Sequence, residues 1–313
     1  MKKVLVTGGL GQIGSHVVEM LLERGDIVTV IDNLATGRRE HLEDHPNLKV
    51  VLDTISDKNL VNQLTDELKP DAIVHTAASY KDPDDWYSDT LTNCIGGANI
   101  VNAAKKFGVK RFIYFQTALC YGLKPDQSPI KLDHPRRPNS SSYSITKTTN
   151  EFYLELSGLD FVTFRLANVI GPRNVAGPLP IFYQRLKDGK KCFVTEARRD
   201  FVFVKDLARS TLQAIDGTGS GAYHFSSGKD VAIQELYNEV VEAMDIPGNP
   251  KAEVKSLGPD DVFSILLDPS KTFKDFGEIK FTPLKQTVYE AMEYYKVHGT
   301  LGEYTHLRLQ EKQ

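Results

Sequence analysis

Along the first half of the chain, short runs of consecutive apolar residues alternate with stretches in which apolar positions recur every three to four residues. The runs are Val4-Leu5-Val6, Ile27-Val28-Thr29-Val30-Ile31, Val50-Val51-Leu52, Ala72-Ile73-Val74, Phe112-Ile113-Tyr114-Phe115 and Phe161-Val162-Thr163-Phe164. Each has the length of a strand, and their nearly continuous apolarity is that of strands buried on both faces. Behind the first run, Ile13, Val17, Met20 and Leu21 recur at helical spacing, and Gly25 follows where a left-handed cap suits glycine. Further amphipathic stretches cover 57–68, 88–107 and 143–157. This alternation predicts an α/β chain with a doubly wound parallel sheet and right-handed crossovers. Past Asn168 the pattern changes: Gly171-Pro172, Gly177-Pro178 and Pro180 interrupt it, and turns recur at 217–221 and 247–250. The division predicted is a sheet domain over 1–168 and a smaller C-terminal α/β lobe over 169–313. The second lobe is expected to share strands with the first and to cover its carboxyl edge, so that ligand binds in the crevice between them.

Glycines mark the first turn. Thr7-Gly8-Gly9-Leu10-Gly11-Gln12-Ile13-Gly14 comes directly after the first run and opens the first helix. Gly8 permits a tight turn, Gly11 lets backbone amides approach a pyrophosphate, and Gly14 lets helix and strand pack closely. The helix N-terminus then meets the phosphates with free N–H groups and the positive end of its dipole. The spacing is GxxGxxG, one residue longer than GxGxxG, and in isolation such a string is an ordinary glycine-rich turn. Asp32 changes that: it ends the second run, where a carboxylate can accept from the adenosine ribose hydroxyls. The same carboxylate repels a 2′-phosphate, so the expected cofactor is NAD rather than NADP, within a Rossmann-type sheet. Arg38 and Arg39 are either solvated loop charges or, in the opposing case, ligands for that phosphate.

A second motif, Tyr143-Ser144-Ile145-Thr146-Lys147, places a phenol and an ammonium one helical turn apart, after the fifth run. The lysine charge, and that of an oxidised nicotinamide, would lower the tyrosine pKa from near 10 and make it a proton acceptor. Ser140-Ser141-Ser142 just ahead suits a helix N-terminus. Taken alone, YxxxK is often no more than a solvated helix face.

Composition narrows the class. The 313 residues are 41% hydrophobic and 25% charged with a net charge of −3, which gives no reason to expect nucleic-acid binding. No apolar run reaches membrane-spanning length, and the N-terminus enters a strand at once without the stretch of a signal peptide. Cys94, Cys120 and Cys192 show neither metal-type spacing nor a disulfide framework, so a reducing cytoplasm is expected and a metal is not.

These pieces resemble the extended short-chain dehydrogenase/reductase family, the NAD-dependent epimerases and dehydratases, over essentially the whole chain. The segments carrying the resemblance are TGGLGQIGSH, Asp32-Asn33-Leu34-Ala35-Thr36-Gly37, His75-Thr76-Ala77-Ala78, Thr117 before Tyr121-Gly122, Tyr143 with Lys147, and Arg199-Asp200-Phe201. The resemblance implies a catalytic triad of Thr117, Tyr143 and Lys147, with Thr117 bonding the reacting oxygen. It also implies cofactor contacts at Gln12, Ile13 and Asn33, Asp53 near the adenine, Ala77 and Asn93 along the cofactor, and Lys147 on the nicotinamide ribose. For a nucleotide-diphosphate sugar it implies Asn168, at the end of Arg165-Leu166-Ala167-Asn168, Leu179 through its backbone, Arg199 on the diphosphate and Asp261 on the uridine ribose. The uracil platform is Phe193 or Thr195. Arg199 has a structural alternative, an ion pair with Asp200 or Asp206. Many relatives carry a second phosphate-binding arginine three residues before Asp261; this chain has Gly258. Ile265 matches a position where tyrosine excludes N-acetylated sugars, or it is a core residue of a strand over 262–267.

The two residues after Thr117 separate the reactions of such enzymes. Family dehydratases place Asp and Glu there, and decarboxylases that make UDP-xylose place Ser and Glu. Here Ala118 and Leu119 can move no proton. A 3,5-epimerase/reductase would want Cys at the Leu119 position, and Cys120, one residue off, is read as a small core residue on the other side of a strand. The expectation is therefore a UDP-sugar C4-epimerase that oxidises C4 to a ketone and returns the hydride to its other face. The strings HTAASYKDPDDW and QTALCYG are similar to epimerases of bacterial O-antigen loci, pointing to an amino sugar or uronate. Two rivals differ in class: an oxidoreductase with net NAD turnover, and an NAD-sensing regulator, whose known examples have typically lost the Tyr or Lys. The family also implies a homodimer paired through helices over 88–107 and 143–157, whose apolar residues include Ile95, Ile100, Val101, Phe152, Tyr153 and Leu156.

Overall fold

The structure is a computed structural model that describes residues 1–257 and 262–300. In chain order it runs β1 (Lys3–Thr7), α1 (Gln12–Glu23), β2 (Ile27–Asp32), β3 (Leu48–Leu52), α2 (Lys58–Leu68), β4 (Ala72–His75), α3 (Trp86–Asp89), α4 (Gly97–Lys106), β5 (Arg111–Thr117) and α5 (Ser142–Ser157). Next come β6 (Phe161–Leu166), β7 (Asn168–Ile170), α6 (Pro178–Lys187), β8 (Phe193–Thr195), β9 (Arg198–Arg199), β10 (Phe201–Phe203), α7 (Val204–Ile215) and β11 (Gly221–Phe225). The last are β12 (Val231–Ala232), α8 (Ile233–Ala243), β13 (Glu253–Lys255), α9 (Ser270–Phe276) and α10 (Leu284–His298).

All six apolar runs become strands of one seven-stranded parallel sheet, ordered β11-β6-β5-β4-β1-β2-β3. Strand periodicity divides their side chains between two cores. Val4 and Val6 join Val17, Val18 and Leu21 of α1 and Leu207 and Ala214 of α7 on one face. Leu5 joins Leu64 of α2, Ile100 and Ala104 of α4 and Leu154 of α5 on the other. Strand order reverses between β1 and β4, which opens a crevice at the carboxyl ends of the strands.

The chain past residue 168 is not all in the second lobe. Strand β11 pairs with β6 at the sheet edge and α7 packs on α1. The rest has its own core, in which Phe182 of α6, Tyr237 and Val240 of α8, and Met292 and Tyr295 of α10 are buried together.

Three local expectations need correction. The stretch 88–107 is not one regular α-helix: a π-helical segment, Thr90–Gly96, joins α3 to α4. Gly96 and Gly97 lie where a Cβ would come within 2.6 Å of Ile55 and 2.5 Å of Asn150, so this segment packs closely against its neighbours. Asn168 does not end the sixth strand; it opens β7, which pairs with β10. Residues 262–267 form no strand, only a single parallel bridge between Leu267 and Ile130.

Candidate active site

The cradle is formed where β1 turns into α1. Gly8 takes φ +67°, and a Cβ there would come within 2.6 Å of the Ala77 nitrogen. Gly14 is packed harder: its Cβ would lie 2.3 Å from the Gly8 carbonyl oxygen. Gly11 caps α1 with no side-chain hydrogen bond, and the first turn holds no acidic residue. The amides of that turn therefore remain open to an anion. Gln12 accepts from Asn174 Nδ2 at 3.3 Å, while its own Nε2 is buried without a partner. Ile13 packs on the core, which leaves its backbone N–H as the group available to a phosphate.

At the end of β2, Asp32 is 7% exposed and accepts from the amides of Leu10 (2.9 Å) and Leu34 (2.8 Å). Burial pushes its pKa up, against the pull of those two donors. Arg38 donates to the His298 carbonyl (3.0 Å), and Arg39 to the Leu42 carbonyl and to Asp44. Both arginines are thus engaged within the protein. Asn33 accepts from Ala35 N (3.0 Å); Asp53 donates its amide to the Asp32 carbonyl (3.0 Å) and accepts from Thr54 N. Past β4, the Ala77 amide points at Thr7 Oγ1 (3.3 Å). Asn93, on the π segment, is 1% exposed and bonds both the amide and the carbonyl of Ser79 (2.8 and 3.0 Å) and Thr146 Oγ1 (3.0 Å). Its side chain holds the loop after β4 in place.

The catalytic candidates meet at the ends of β5 and α5. Ser141 caps α5 in a capping box with Ser144, which fixes the turn carrying Tyr143. Lys147 is 3% exposed, with Nζ 4.3 Å from the centroid of the Tyr114 ring. Thr117 ends β5 and accepts from Leu119 N (3.2 Å). Gln116 ties that strand end to α5 through Thr148 Oγ1 (3.4 Å) and Glu151 (3.1 Å). A second buried line joins cradle to lysine: Thr7 Oγ1 meets His75 Nδ1 at 2.6 Å, His75 stacks on Tyr114, and the Tyr114 hydroxyl donates to the Lys147 carbonyl (2.9 Å).

Without a bound cofactor, the lysine does not by itself activate the phenol. Burial pushes Tyr143 well above the usual phenol value, and Tyr80 and Asp89 add to that. Burial pulls Lys147 down to about 7, with Glu151 opposing. Desolvation outweighs the one-turn attraction, so ionising the phenol needs a further positive charge from whatever binds beside it.

The second lobe places its candidates less tightly. Asn168 is exposed and donates to the Asp200 carbonyl (3.3 Å). Leu179 is fully buried on α6, so only its backbone can face a ligand. Phe193 is 40% exposed, with Lys255 Nζ 4.3 Å from its ring centroid; Thr195 is half-buried. Arg199 donates to the carbonyls of Arg198 (2.7 Å) and Val262 (2.9 Å). Its suggested acidic partners are taken by others: Asp200 by Ser226 and Ser227, Asp206 by Arg209 and Thr282. Ile265 packs with Ala118 against Cys120, Tyr121, Ile130 and Leu267. Cys120 sits in a 3-10 turn after β5 rather than in a strand, and is fully buried. Asp261 and Gly258 lie outside the described residues. His41 and His45 share a ligand-like spacing, but His41 is bonded to the Leu10 carbonyl and Tyr294 and His45 to Asn47 N.

Sequence reasoning missed Gln116, Glu151 and Arg173. The first two carry no motif of their own, although Glu151 does fall one helical turn past Lys147. Arg173 adopts φ +65° and braces α1 through Ser15 (3.0 Å) and Glu19.

A dinucleotide cradle beside a tyrosine–lysine helix defines a nicotinamide-dependent enzyme of the short-chain type. The chain belongs to the NAD dependent epimerase/dehydratase family, whose model matches residues 4–225. Among solved structures it is similar to the Bordetella bronchiseptica enzyme WbmH in complex with NAD+, with 70% identity, a TM-score of 0.95, and 96% of this chain and 100% of that one covered. It is also similar to Bordetella bronchiseptica WbmG in complex with NAD and UDP, with 40% identity, a TM-score of 0.89 and coverage of 96% and 98%. A UDP-glucose 4-epimerase of Mycolicibacterium smegmatis is 30% identical over 312 residues, 94% of this chain and 98% of that protein.

Proposed function

We propose that this chain is an NAD-dependent C4-epimerase of nucleotide-diphosphate sugars, UDP-linked, acting through a transient 4-keto sugar. The observation that carries the reading is Thr117, Tyr143 and Lys147 gathered beside the cradle, with Ala118 and Leu119, which exchange no proton, next after Thr117. Relatives whose names say UDP-glucose 4-epimerase support it.

NAD supplies a hydride acceptor whose oxidised ring is cationic. Gly8, Gly11, Gln12, Ile13 and Gly14 would hold its pyrophosphate through backbone amides, and Asp32 would take the adenosine ribose, with Asn33, Asp53 and Ala77 as further residues that would contact it. Thr117 would hydrogen-bond the sugar 4-oxygen while the ionised Tyr143 takes its proton as C4 gives up hydride, and Lys147 offsets the phenolate charge that exists before that transfer. With neither acid nor base after Thr117, the ketone undergoes no elimination. It turns over in the site and receives hydride on the opposite face as Tyr143 returns the proton. On the second lobe we assign Asn168, Leu179 and Arg199 to the diphosphate and Phe193 to the base, with Asp261, outside the described residues, assigned to the uridine ribose from the family resemblance.

We place the enzyme in the cytoplasm, where Cys94, Cys120 and Cys192 remain thiols, and in surface-polysaccharide (O-antigen) sugar synthesis. No described helix is long and apolar enough to cross a membrane. We also propose a homodimer through α4, α5 and the π segment. Ile95, Phe152, Tyr153 and Leu156 are exposed there, whereas Ile100 and Val101 turn into the sheet core and drop out of that face.

The test is to incubate purified protein with UDP- and GDP-sugars without added NAD. Interconversion of C4 epimers with no net NADH absorbance is expected. NADH accumulating with substrate would establish an oxidoreductase instead.

A further inference from the structure

Glu151 is fully buried one turn past Lys147 on α5. Its Oε1 accepts from Arg165 Nε at 3.0 Å; Oε2 accepts from Gln116 Nε2 at 3.1 Å and lies 3.2 Å from Arg136 Nη1. A buried carboxylate is costly unless it is paired, and here three donors satisfy it. Gln116 passes the contact on: its Oε1 accepts from the backbone N–H of Thr117 at 2.8 Å. Arg165 continues the network in the other direction. It donates to the Tyr121 hydroxyl (2.5 Å), which meets His224 Nε2 (2.6 Å), and His224 Nδ1 meets the Asp268 carbonyl (2.9 Å). A carbonyl only accepts, so Nδ1 carries the proton, Nε2 accepts, and the Tyr121 hydroxyl donates to it. Every donor on this path has an acceptor, and the path holds the carboxylate in one place.

We propose that Glu151 is a positioning residue for the reaction centre, fixing the Thr117 end of β5 through Gln116 and supplying the negative charge that keeps Lys147 an ammonium. The proposal rests on the reading of Tyr143 and Lys147 as the catalytic pair. The ionisable groups tied to Lys147 are His75 on β4, Tyr114 on β5 beneath its Nζ, and Glu151 one turn on in α5; next along that helix are Tyr143, one turn back, and Cys94 of the π segment, which donates to the Thr146 carbonyl. Burial holds His75 neutral with a pKa of about 3, and pushes Tyr114, Cys94 and Tyr143 up into their neutral forms. Glu151 is the carboxylate among these, paired with two arginines, and it raises a lysine that burial has brought to about 7. Arg165 and Arg136 both pair with Glu151.

Loss of that anion lowers the lysine pKa further, so the ammonium is lost at lower pH. Glu151→Gln should therefore move the alkaline limb of the kcat profile down by about one pH unit, the order expected for one charge across a helical turn of partly screened interior. The variant leaves Arg165 and Arg136 without their anion, so Glu151→Gln/Arg165→Gln, which neutralises the pair, is made alongside; the same displacement is expected. Gln116→Met removes the link to Thr117, together with the contact to Thr148 and one of the three donors on Glu151, but leaves the carboxylate and both its arginines, and should lower kcat about tenfold with KM and the pH limb unchanged. A folded Glu151→Gln or double variant with a wild-type alkaline limb overturns the charge role. Wild-type kcat in Gln116→Met overturns the positioning role, and it decides the matter if neither glutamate variant folds. Tyr143→Phe is the control: turnover persisting there defeats the catalytic reading itself, a result separate from any outcome at Glu151.

Discussion

At the scale of single residues, we propose that Ile265 serves selection as well as packing. It is half-buried and, like Ala118, the residue next to Thr117, packs against the cluster of Cys120, Tyr121, Ile130 and Leu267. A β-branched side chain there is stiff and takes up less space than tyrosine, which leaves room for a substituent on the sugar. Ile265→Tyr should lower kcat/KM for N-acetylated UDP-sugars about tenfold or more relative to plain ones, through a clash felt in the transition state. Steady-state kinetics on UDP-glucose and UDP-N-acetylglucosamine decide it, and equal losses on both would mean that Ile265 only packs. Asp32 carries the other residue-scale discrimination. Its two backbone donors fix the carboxylate, and Arg38 and Arg39 are bonded elsewhere in the protein, which supports the proposal that Asp32 receives ribose hydroxyls and not a phosphate.

Elements succeed here by close approach. The β1–α1 turn works because nothing larger than hydrogen fits on Gly14, where a Cβ would stand 2.3 Å from the Gly8 oxygen. Gly14→Ala should cost about 1–3 kcal/mol of stability by overpacking and should displace the first turn of α1 from the pyrophosphate. Thermal melts with and without NAD, together with the cofactor content of the purified protein, test both effects. A variant that melts and retains NAD like the wild type would show that the turn has slack. This glycine was readable from its place between a strand and a helix. The π segment was not. A register change within a helix leaves no periodic signal when Gly96 and Gly97 sit where the pattern would change.

At the scale of the whole molecule, five of the exposed apolar residues lie together on the π segment and α5. Ile95, Ile145, Phe152, Tyr153 and Leu156 are between 41% and 81% exposed, a grouping that argues for burial against a second copy. Arg136 stacks on Phe152 at 4.1 Å and pairs with Glu151, so this face connects with the charge network behind the catalytic helix. Sedimentation at micromolar concentration should give about twice the 35.0 kDa chain mass. Leu156→Asp should shift the balance toward monomer, and a wild-type protein that sediments as a monomer would reject the dimer.

The sequence by itself determined the sheet, the cradle and the tyrosine–lysine helix. Each depends on residues within about ten positions of one another, and apolar runs, glycines and one-turn spacing are local signals. Tertiary structure decided the rest. The edge strand β11 and the helix α7 come from beyond residue 168 because the sheet and α1 still had apolar surface to bury. Ile100 and Val101 face the core while Ile95 and Leu156 face outward, a choice made by where each helix rests on the sheet. Above all, the charge states of Tyr143 and Lys147 are set by burial, which no spacing records. Glu151, Arg165 and Gln116 lie far apart along the chain or outside any motif, and only folding brings them together.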